Sequence, residues 1–499
     1  MKNYFIKLMS VALFVAMGAF ISSCSSNDDS NKQQEDSYKD KWKNKTAKYT
    51  VMLYGCGGGD VDEQLDYAID YVKHFLNADN NQVRFVVMYS TSKNDQKHRT
   101  AENPDQPVNL LYGRWGCTYR YELTPDITNE NYHEKCYYKP ASEVKLYRVE
   151  TIKEFINWAK RTAPAENYIL MPTNHGGGFE LEEETPTRSI IYDDNHVDAD
   201  GYNESVATKA FVQALQETQT HLKAIYWYGC LMAQLEVLTE MAPYCDYQFC
   251  SAHMSRVNPR HVYGIIEAIN AFPDDFEQAA KQHGVIMNAP NGNLQYYDFN
   301  YLNEFKNVPN PKNLQEVHDE NCDFGCWRSA GLTAINTQVK RLADYMDANY
   351  DTYLGIFATA IWATYIFDKS QPYLDVLDLA LNVDVALKTI DPNITNVEPI
   401  KQDLDNALKA ACVYHIDGLH SKRIVDNKQV PNWPGSDRYT LGISVYSKNH
   451  DKYKKFKNVY KESSFDKFTG WSRFLDKNQV DINPALNPSN DSWEDPDWI

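Results

Sequence analysis

The sequence has no excess of basic charge. Its 50 Lys and Arg stand against 68 Asp and Glu, a net charge of −18. That balance excludes a nucleic acid or an anionic membrane surface as a partner held by charge. No Gly-Lys-Ser/Thr follows the glycine cluster Gly55-Cys56-Gly57-Gly58-Gly59, which excludes a P-loop. No loop has EF-hand spacing. Cys245, Cys250 and His253 are metal-ligand types, but no fourth residue completes a tetrahedral set, so no metal site is expected. No internal repeat is visible. What remains is a globular composition: 499 residues, 43% hydrophobic, enough for one large core or two moderate ones. Tyrosine is common, at 35 residues, which suits an exported, wet-surfaced protein and specifies no chemistry.

The N-terminus reads as an export signal. Lys2 and Lys7 give the basic region, and Leu8 to Phe20 the apolar core, too short to span a bilayer. Ile21-Ser22-Ser23-Cys24 resembles the lipobox of bacterial lipoproteins, which implies lipidation of Cys24 and removal of residues 1–23. Residues 24–47 are polar and read as a flexible tether, with Asp28-Asp29 resembling the surface-export signals of some such lipoproteins. The expected address is the bacterial cell envelope, anchored to the membrane through lipid, with the outer face of the outer membrane open to it. Nine of the 10 cysteines then remain, an odd number in an oxidising compartment. At least one is unpaired or bonds another chain, and Cys230 is the natural candidate. Cys117/Cys136 and Cys322/Cys326 are candidate pairs.

Two stretches organise the chain: His175-Gly176-Gly177-Gly178 and Cys230-Leu231-Met232. Each follows an apolar run that reads as a buried strand, Tyr168–Met171 and Leu222–Tyr228. Between them Ala207, Ala210, Phe211, Ala214 and Leu215 fall at helical spacing. Strand, helix and strand predict a crossover and a parallel pair. Both motifs would then stand at carboxyl ends of neighbouring strands, where open α/β sheets carry their sites. A thiol nucleophile and its base need that arrangement. The other reading of Cys230 is a small buried hydrophobe, and of His175 a structural histidine.

The pattern extends on both sides. Tyr49–Tyr54 and Val83–Tyr89 read as the first two strands, with Leu65, Ile69, Val72 and Leu76 on a helix between. Residues 92–145 read as a long insertion or a hairpin excursion at the rim. Ile152, Phe155, Ile156 and Ala159 mark the next helix. Ile190–Asn195 reads as a short strand and turn, with Asp193 and Asp194 a solvated pair. Leu231, Leu235, Leu238 and Ala242 read as one helix face after Cys230, and Tyr247–His253 as the next strand and its loop. Residues 48–305 thus form a core. Residues 306–499 read as mostly helical, with strands at Leu332–Asn336 and 439–446, the latter expected to join the main sheet.

These residues resemble the clostripain-family cysteine peptidases, which share the caspase-like fold. The likeness is carried by Phe155–Trp158, Pro164–Leu170, Asn174–Phe179, Ile191–Asp194, Cys230–Ala233 with Glu236-Val237, and, outside these, Thr50–Tyr54 and Gly442–Tyr446. It implies an α/β fold with a mostly parallel sheet. It implies a cysteine endopeptidase in which Cys230 attacks the scissile carbonyl and His175 is general base and acid. Backbone N–H groups of Gly176, Gly177 and Cys230 would hold the oxyanion. A helix starting after Cys230 would favour its thiolate. The expected partner is a peptide or protein substrate of the extracellular space or periplasm, and the chain is expected to act as a monomer. No cofactor is required by the chemistry; calcium dependence occurs in parts of the family.

The sequence also departs from the family. Where relatives carry Asp two residues before the nucleophile, this chain has Tyr228, and Ala252 and His253 follow the next strand in place of acidic residues. A buried guanidinium needs a carboxylate, so a basic preference is not expected from Tyr228, Ala252 and His253. Arg188–Ser189 is the candidate bond for processing between the His and the Cys. The alternative reading is a catalytically silent relative that binds peptide or protein.

Overall fold

Short β-branched and aromatic runs build a central sheet, and the amphipathic stretches between them cover its faces. The computed structural model describes residues 38, 40–55, 61–93, 110, 114–128, 130–179, 190–199, 201, 203–253, 260–287, 324–368, 371–416, 422–425, 428–431, 442–447 and 450–478. Cys24, Cys56, Cys322, the Arg188–Ser189 bond and most of the proposed tether lie outside them.

The chain begins with β1 (Ala47–Gly55), α1 (Asp62–Leu76), β2 (Val83–Ser90), β3 (Cys117–Glu122) and β4 (Tyr137–Pro140). Next come α2 (Val149–Thr162), β5 (Ala165–Thr173), β6 (Ile190–Val197), β7 (Asn203–Val206) and α3 (Thr208–Glu217). They lead to β8 (Leu222–Tyr226), α4 (Leu235–Met241), β9 (Cys245–Cys250), α5 (Arg260–Ala271) and α6 (Phe276–Met287). β10 (Phe324–Arg328), α7 (Leu332–Ala348), α8 (Tyr350–Ala363), β11 (Ile366–Asp368), β12 (Gln371–Asp375) and α9 (Val376–Ile390) follow. The last elements are α10 (Glu398–Ala411), β13 (Cys412–Ile416), β14 (Lys422–Val425), β15 (Lys428–Pro431), β16 (Ser444–Tyr446), α11 (His450–Lys461), α12 (Ser464–Thr469) and α13 (Trp471–Lys477).

Nine strands form the main sheet in the order β13-β10-β9-β8-β5-β1-β2-β3-β4. The centre, β9-β8-β5-β1-β2, is parallel. Two antiparallel strands close it on each side. The sheet is therefore mixed, and parallel pairing is confined to its middle. β1 and β2 are buried nearly throughout, as strands covered on both faces must be. Alternate residues of β1 feed two clusters. Met52 and Tyr54 pack on one face with Phe155 and Phe211; Val51 and Leu53 pack on the other with Ile69 and Val262. The helix faces read from sequence hold: α2 buries Ile152, Phe155, Ile156 and Ala159, and α3 buries Phe211, Ala214 and Leu215. The polar stretch 92–145 supplies the β3–β4 hairpin at the sheet edge.

Four expectations are corrected. The late strand does not join the main sheet: Ser444–Tyr446 pairs with β12, in a three-stranded sheet β11-β12-β16. Ser444, Val445 and Tyr446 are buried there too, so their apolar character was real but could not name the neighbour. The main sheet is completed instead by β10 and β13. Leu332–Asn336 is helical, not a strand. Leu332, Ile335, Val339, Leu342 and Met346 bury one face of α7, so the long 3.6-residue period overrides a short β-branched run. Leu231 is not on the helix after Cys230: it has φ +59°, and α4 starts only at Leu235. Cys117 and Cys136 are free thiols, not a pair.

Candidate active site

The site grows from strand register. β5 and β8 pair in parallel, with Ile169 opposite Ala224 and Leu170 opposite Ile225. The pairing continues beyond the regular strands. Thr173 bridges Tyr228, Tyr228 N–H donates to Pro172 O (3.0 Å), and Asn174 N–H donates to Tyr228 O (3.3 Å). His175 and Cys230 each lie two residues past the Thr173–Tyr228 bridge. The ladder therefore delivers both to the same edge of the sheet.

Gly176 seats one loop on the other. A Cβ at this position would overlap the Cys230 carbonyl oxygen and stand 2.8 Å from the Cys230 nitrogen. Only glycine permits that approach. Gly178 has φ +67°, and a Cβ there would collide with the Gln234 side-chain amide. Gln234 Oε1 in turn accepts from Phe179 N–H at 2.7 Å. The Tyr373 hydroxyl donates to Gly177 O at 2.7 Å. The histidine is steadied from its other side. Asn174 Oδ1 accepts the His175 N–H, Asn174 Nδ2 donates to Tyr192 O (3.0 Å), and the Tyr192 ring stands edge-on to the imidazole, 6.3 Å between centroids.

The loop after β9 straps the cysteine loop from the opposite side. Leu231 N–H donates to His253 O (3.0 Å), and Ala233 N–H to Ser251 O (2.9 Å). Cys230 is 8% exposed, and Ala252 and His253 are buried. Ala252 thus stands beside the cysteine loop. The Tyr228 ring packs on His261 of α5, 4.7 Å between centroids. Beneath it the Tyr226 hydroxyl lies 2.8 Å from His261 Nδ1 and 3.2 Å from His283 Nε2, and His283 Nδ1 lies 2.7 Å from the Tyr414 hydroxyl. Burial holds both histidines neutral, His261 well below its ordinary value and His283 down to about 3.

Sequence reasoning missed several residues that build this edge. Glu236 is fully buried, and its Oε1 accepts from Tyr446 N–H (2.9 Å) and the Tyr460 hydroxyl (2.7 Å). Burial raises its carboxyl to about 7. Ser444 N–H donates to Ala233 O at 3.0 Å, so the small sheet also grips the cysteine loop. Nothing local marks Tyr373 or Gln234, and Glu236 entered only through the family likeness with no role assigned, because their partners lie tens to hundreds of residues away. Asp193, read as solvated, is buried: it accepts from Asn195 N–H (3.0 Å) and pairs with His196 Nδ1 at 2.8 Å. That hydrogen bond raises the His196 imidazole above its ordinary value. That the histidine and cysteine loops end side by side was legible. The helix dipole expected behind Cys230 was not realised as drawn, since four residues separate it from α4. Among the described residues no cluster of three or more His, Cys, Asp or Glu could hold a metal ion.

A mixed α/β sheet with a histidine loop seated on a cysteine loop at its carboxyl edge defines the class, a caspase-like fold of the cysteine-peptidase kind. The sequence model of the clostripain family, Peptidase C11, matches residues 125–478, so the chain belongs to that family of cysteine peptidases. Clostripain from Hathewaya histolytica is 23% identical over 203 residues, 40% of this chain and 37% of that protein. The match thus spans well under half the length of that relative. A secreted C11 cysteine protease from Bacteroides thetaiotaomicron, solved with an irreversible peptide inhibitor, superposes with a TM-score of 0.54 at 15% identity, covering 85% of this chain and 99% of that one. An inactive zymogen C11 protease from Parabacteroides distasonis gives 0.51 at 14% identity, with the same coverage. At such identities the likeness is one of fold.

Proposed function

We propose that the chain is a cysteine endopeptidase that cleaves extracellular or periplasmic proteins, with Cys230 as nucleophile and His175 as general base and acid. The observation that carries this reading is the seating of Gly176 on the Cys230 backbone at the shared end of β5 and β8. His175 takes the Cys230 thiol proton, the sulfur attacks the scissile carbonyl carbon, and the carbonyl π pair moves to oxygen. Backbone N–H groups of Cys230 and of Gly176 or Gly177 receive that oxyanion; loss of one such donor costs about 100-fold or more in rate. Collapse of the intermediate expels the amine, which takes a proton from His175 and leaves a thioester. His175 then removes a proton from water, whose oxygen attacks the thioester carbonyl; the C–S bond breaks and the His175 proton returns to the Cys230 sulfur.

Tyr228 and Ala252 put no carboxylate at the positions where the family places acids, and the Tyr228 ring is engaged with His261. A pocket carrying Tyr228 and His253 would accept an apolar, aromatic or acidic side chain before the cleaved bond in place of a basic one. Cleavage at Arg188–Ser189 would then need a different protease. The lipid on Cys24 would hold the enzyme to the cell envelope. A mixed peptide library incubated with the chain from residue 40 onward tests the reading. Cleavage after apolar, aromatic or acidic residues, lost in Cys230→Ala and in His175→Ala, is expected. Cleavage that persists in Cys230→Ala would overturn Cys230 as nucleophile, and none by either protein, even after nicking near Arg188, would leave the peptide-binding relative as the better account.

A further inference from the structure

We propose that Tyr373 is a positioning residue for the His175 loop; this rests on the reading that the loop serves a reaction at Cys230. Three consecutive glycines have the greatest backbone freedom a chain can have, and fixing each loses more conformational entropy than fixing any other residue would. Something outside the loop must therefore hold it. Gly176 is seated on the Cys230 backbone, and Phe179 is bonded to Gln234. Between these two anchors Gly178 packs against Gln234 and Leu231 O, and the Tyr373 hydroxyl bonds Gly177 O at 2.7 Å.

That bond fixes the peptide plane joining Gly177 to Gly178. With Gly176 seated, the Gly176–Gly177 plane is then bracketed by two fixed points. This plane carries the Gly177 N–H, one of the two glycine donors that the proposed mechanism offers to the oxyanion. Tyr373 is itself well placed to act as a rigid post. It is fully buried on β12, opposite Tyr446 of β16 in the ladder, with the two rings 6.3 Å apart. β16 also holds the cysteine loop through Ser444 N–H to Ala233 O. One small sheet, made by residues far along the chain, thus sets the spacing of both loops.

Tyr373→Phe removes the hydroxyl and keeps the ring. Its matched control is Tyr89→Phe, which removes a buried hydroxyl donating to Asp62 O at 2.7 Å, two strands away from β5. Two readouts are taken: steady-state kinetics on a cleaved peptide, and hydrogen exchange of the 172–179 segment. In Tyr373→Phe, kcat is expected to fall about tenfold with KM held within about twofold, and the loop amides to exchange at least about threefold faster. Tyr89→Phe should change neither. Unchanged loop exchange in Tyr373→Phe overturns the proposal whatever the kinetics show. So does faster exchange with unchanged kcat, or an equal effect in Tyr89→Phe. If the parent protein cleaves nothing, the peptidase reading fails, and the exchange arm alone decides whether Tyr373 orders the loop.

Discussion

Gly176 is where composition and chemistry meet most closely. Its hydrogen leaves room for the Cys230 backbone, and a methyl group in its place would have to displace backbone atoms rather than a flexible side chain. Gly176→Ala should therefore push the two loops apart. Peptidase kcat/KM is expected to drop on the order of 100-fold, as a misplacement of about 1 Å does in other sites. Gly355, inside α8, meets nothing within 4 Å, so Gly355→Ala should leave activity unchanged. Comparison of kcat/KM and of far-UV circular dichroism in the two variants separates a local effect from unfolding. Wild-type activity in Gly176→Ala would mean that the loops are not seated as described. At this scale the sequence was informative where chemistry itself fixes the residue type, as at His175, Cys230 and the glycines. It was silent on Tyr373 and Gln234, because a tyrosine or glutamine gives no local sign of a distant carbonyl or amide.

Element by element, the main strands and the helix faces were readable because each obeys one period over enough residues. α2 and α3 show this most plainly. The failures share a cause. Ser444–Tyr446 and Leu332–Asn336 are short apolar stretches whose state depends on what packs beside them, and that neighbour is distant in sequence. α4 was placed too early because Leu231 continues an apolar spacing that its left-handed backbone interrupts.

α4 also carries a measurable consequence. In the folded chain burial raises the Glu236 carboxyl from an ordinary 4.5 to about 7. Between those values the native protein holds a proton that the unfolded chain has released. Stability therefore falls as pH rises through this window, by on the order of 3 kcal/mol, and the loss levels off above about pH 8. Glu236→Gln keeps an acceptor for Tyr446 N–H and the Tyr460 hydroxyl without a charge. Its melting temperature should match the parent's near pH 4.5 and exceed it at pH 8. A parallel pH dependence in the two proteins would contradict the assignment.

Over the whole molecule, one hydrophobic cluster runs from Met52 to Leu475 and takes in residues of the main sheet, of β12 and β16, and of the last helices. The candidate-site edge is assembled from the middle of the chain and from supports near residues 373, 444–446 and 460, and this is why the histidine and cysteine loops were legible while those supports were not. The same burial sorts the thiols. It pushes Cys136 and Cys245 up to about 12 and raises Cys326 well above the ordinary thiol range, so all three stay protonated at neutral pH. The pairing of His175 with Cys230 is the central claim, and its most direct measurement is the rate and position of alkylation by iodoacetamide at pH 7, read by peptide mass mapping. The account predicts that Cys230 is modified before Cys136, Cys245 and Cys326, and that His175→Ala slows its modification at least about tenfold by removing the base that stabilises the thiolate. Preferential labelling of another of these cysteines, or a Cys230 rate indifferent to His175→Ala, would contradict it.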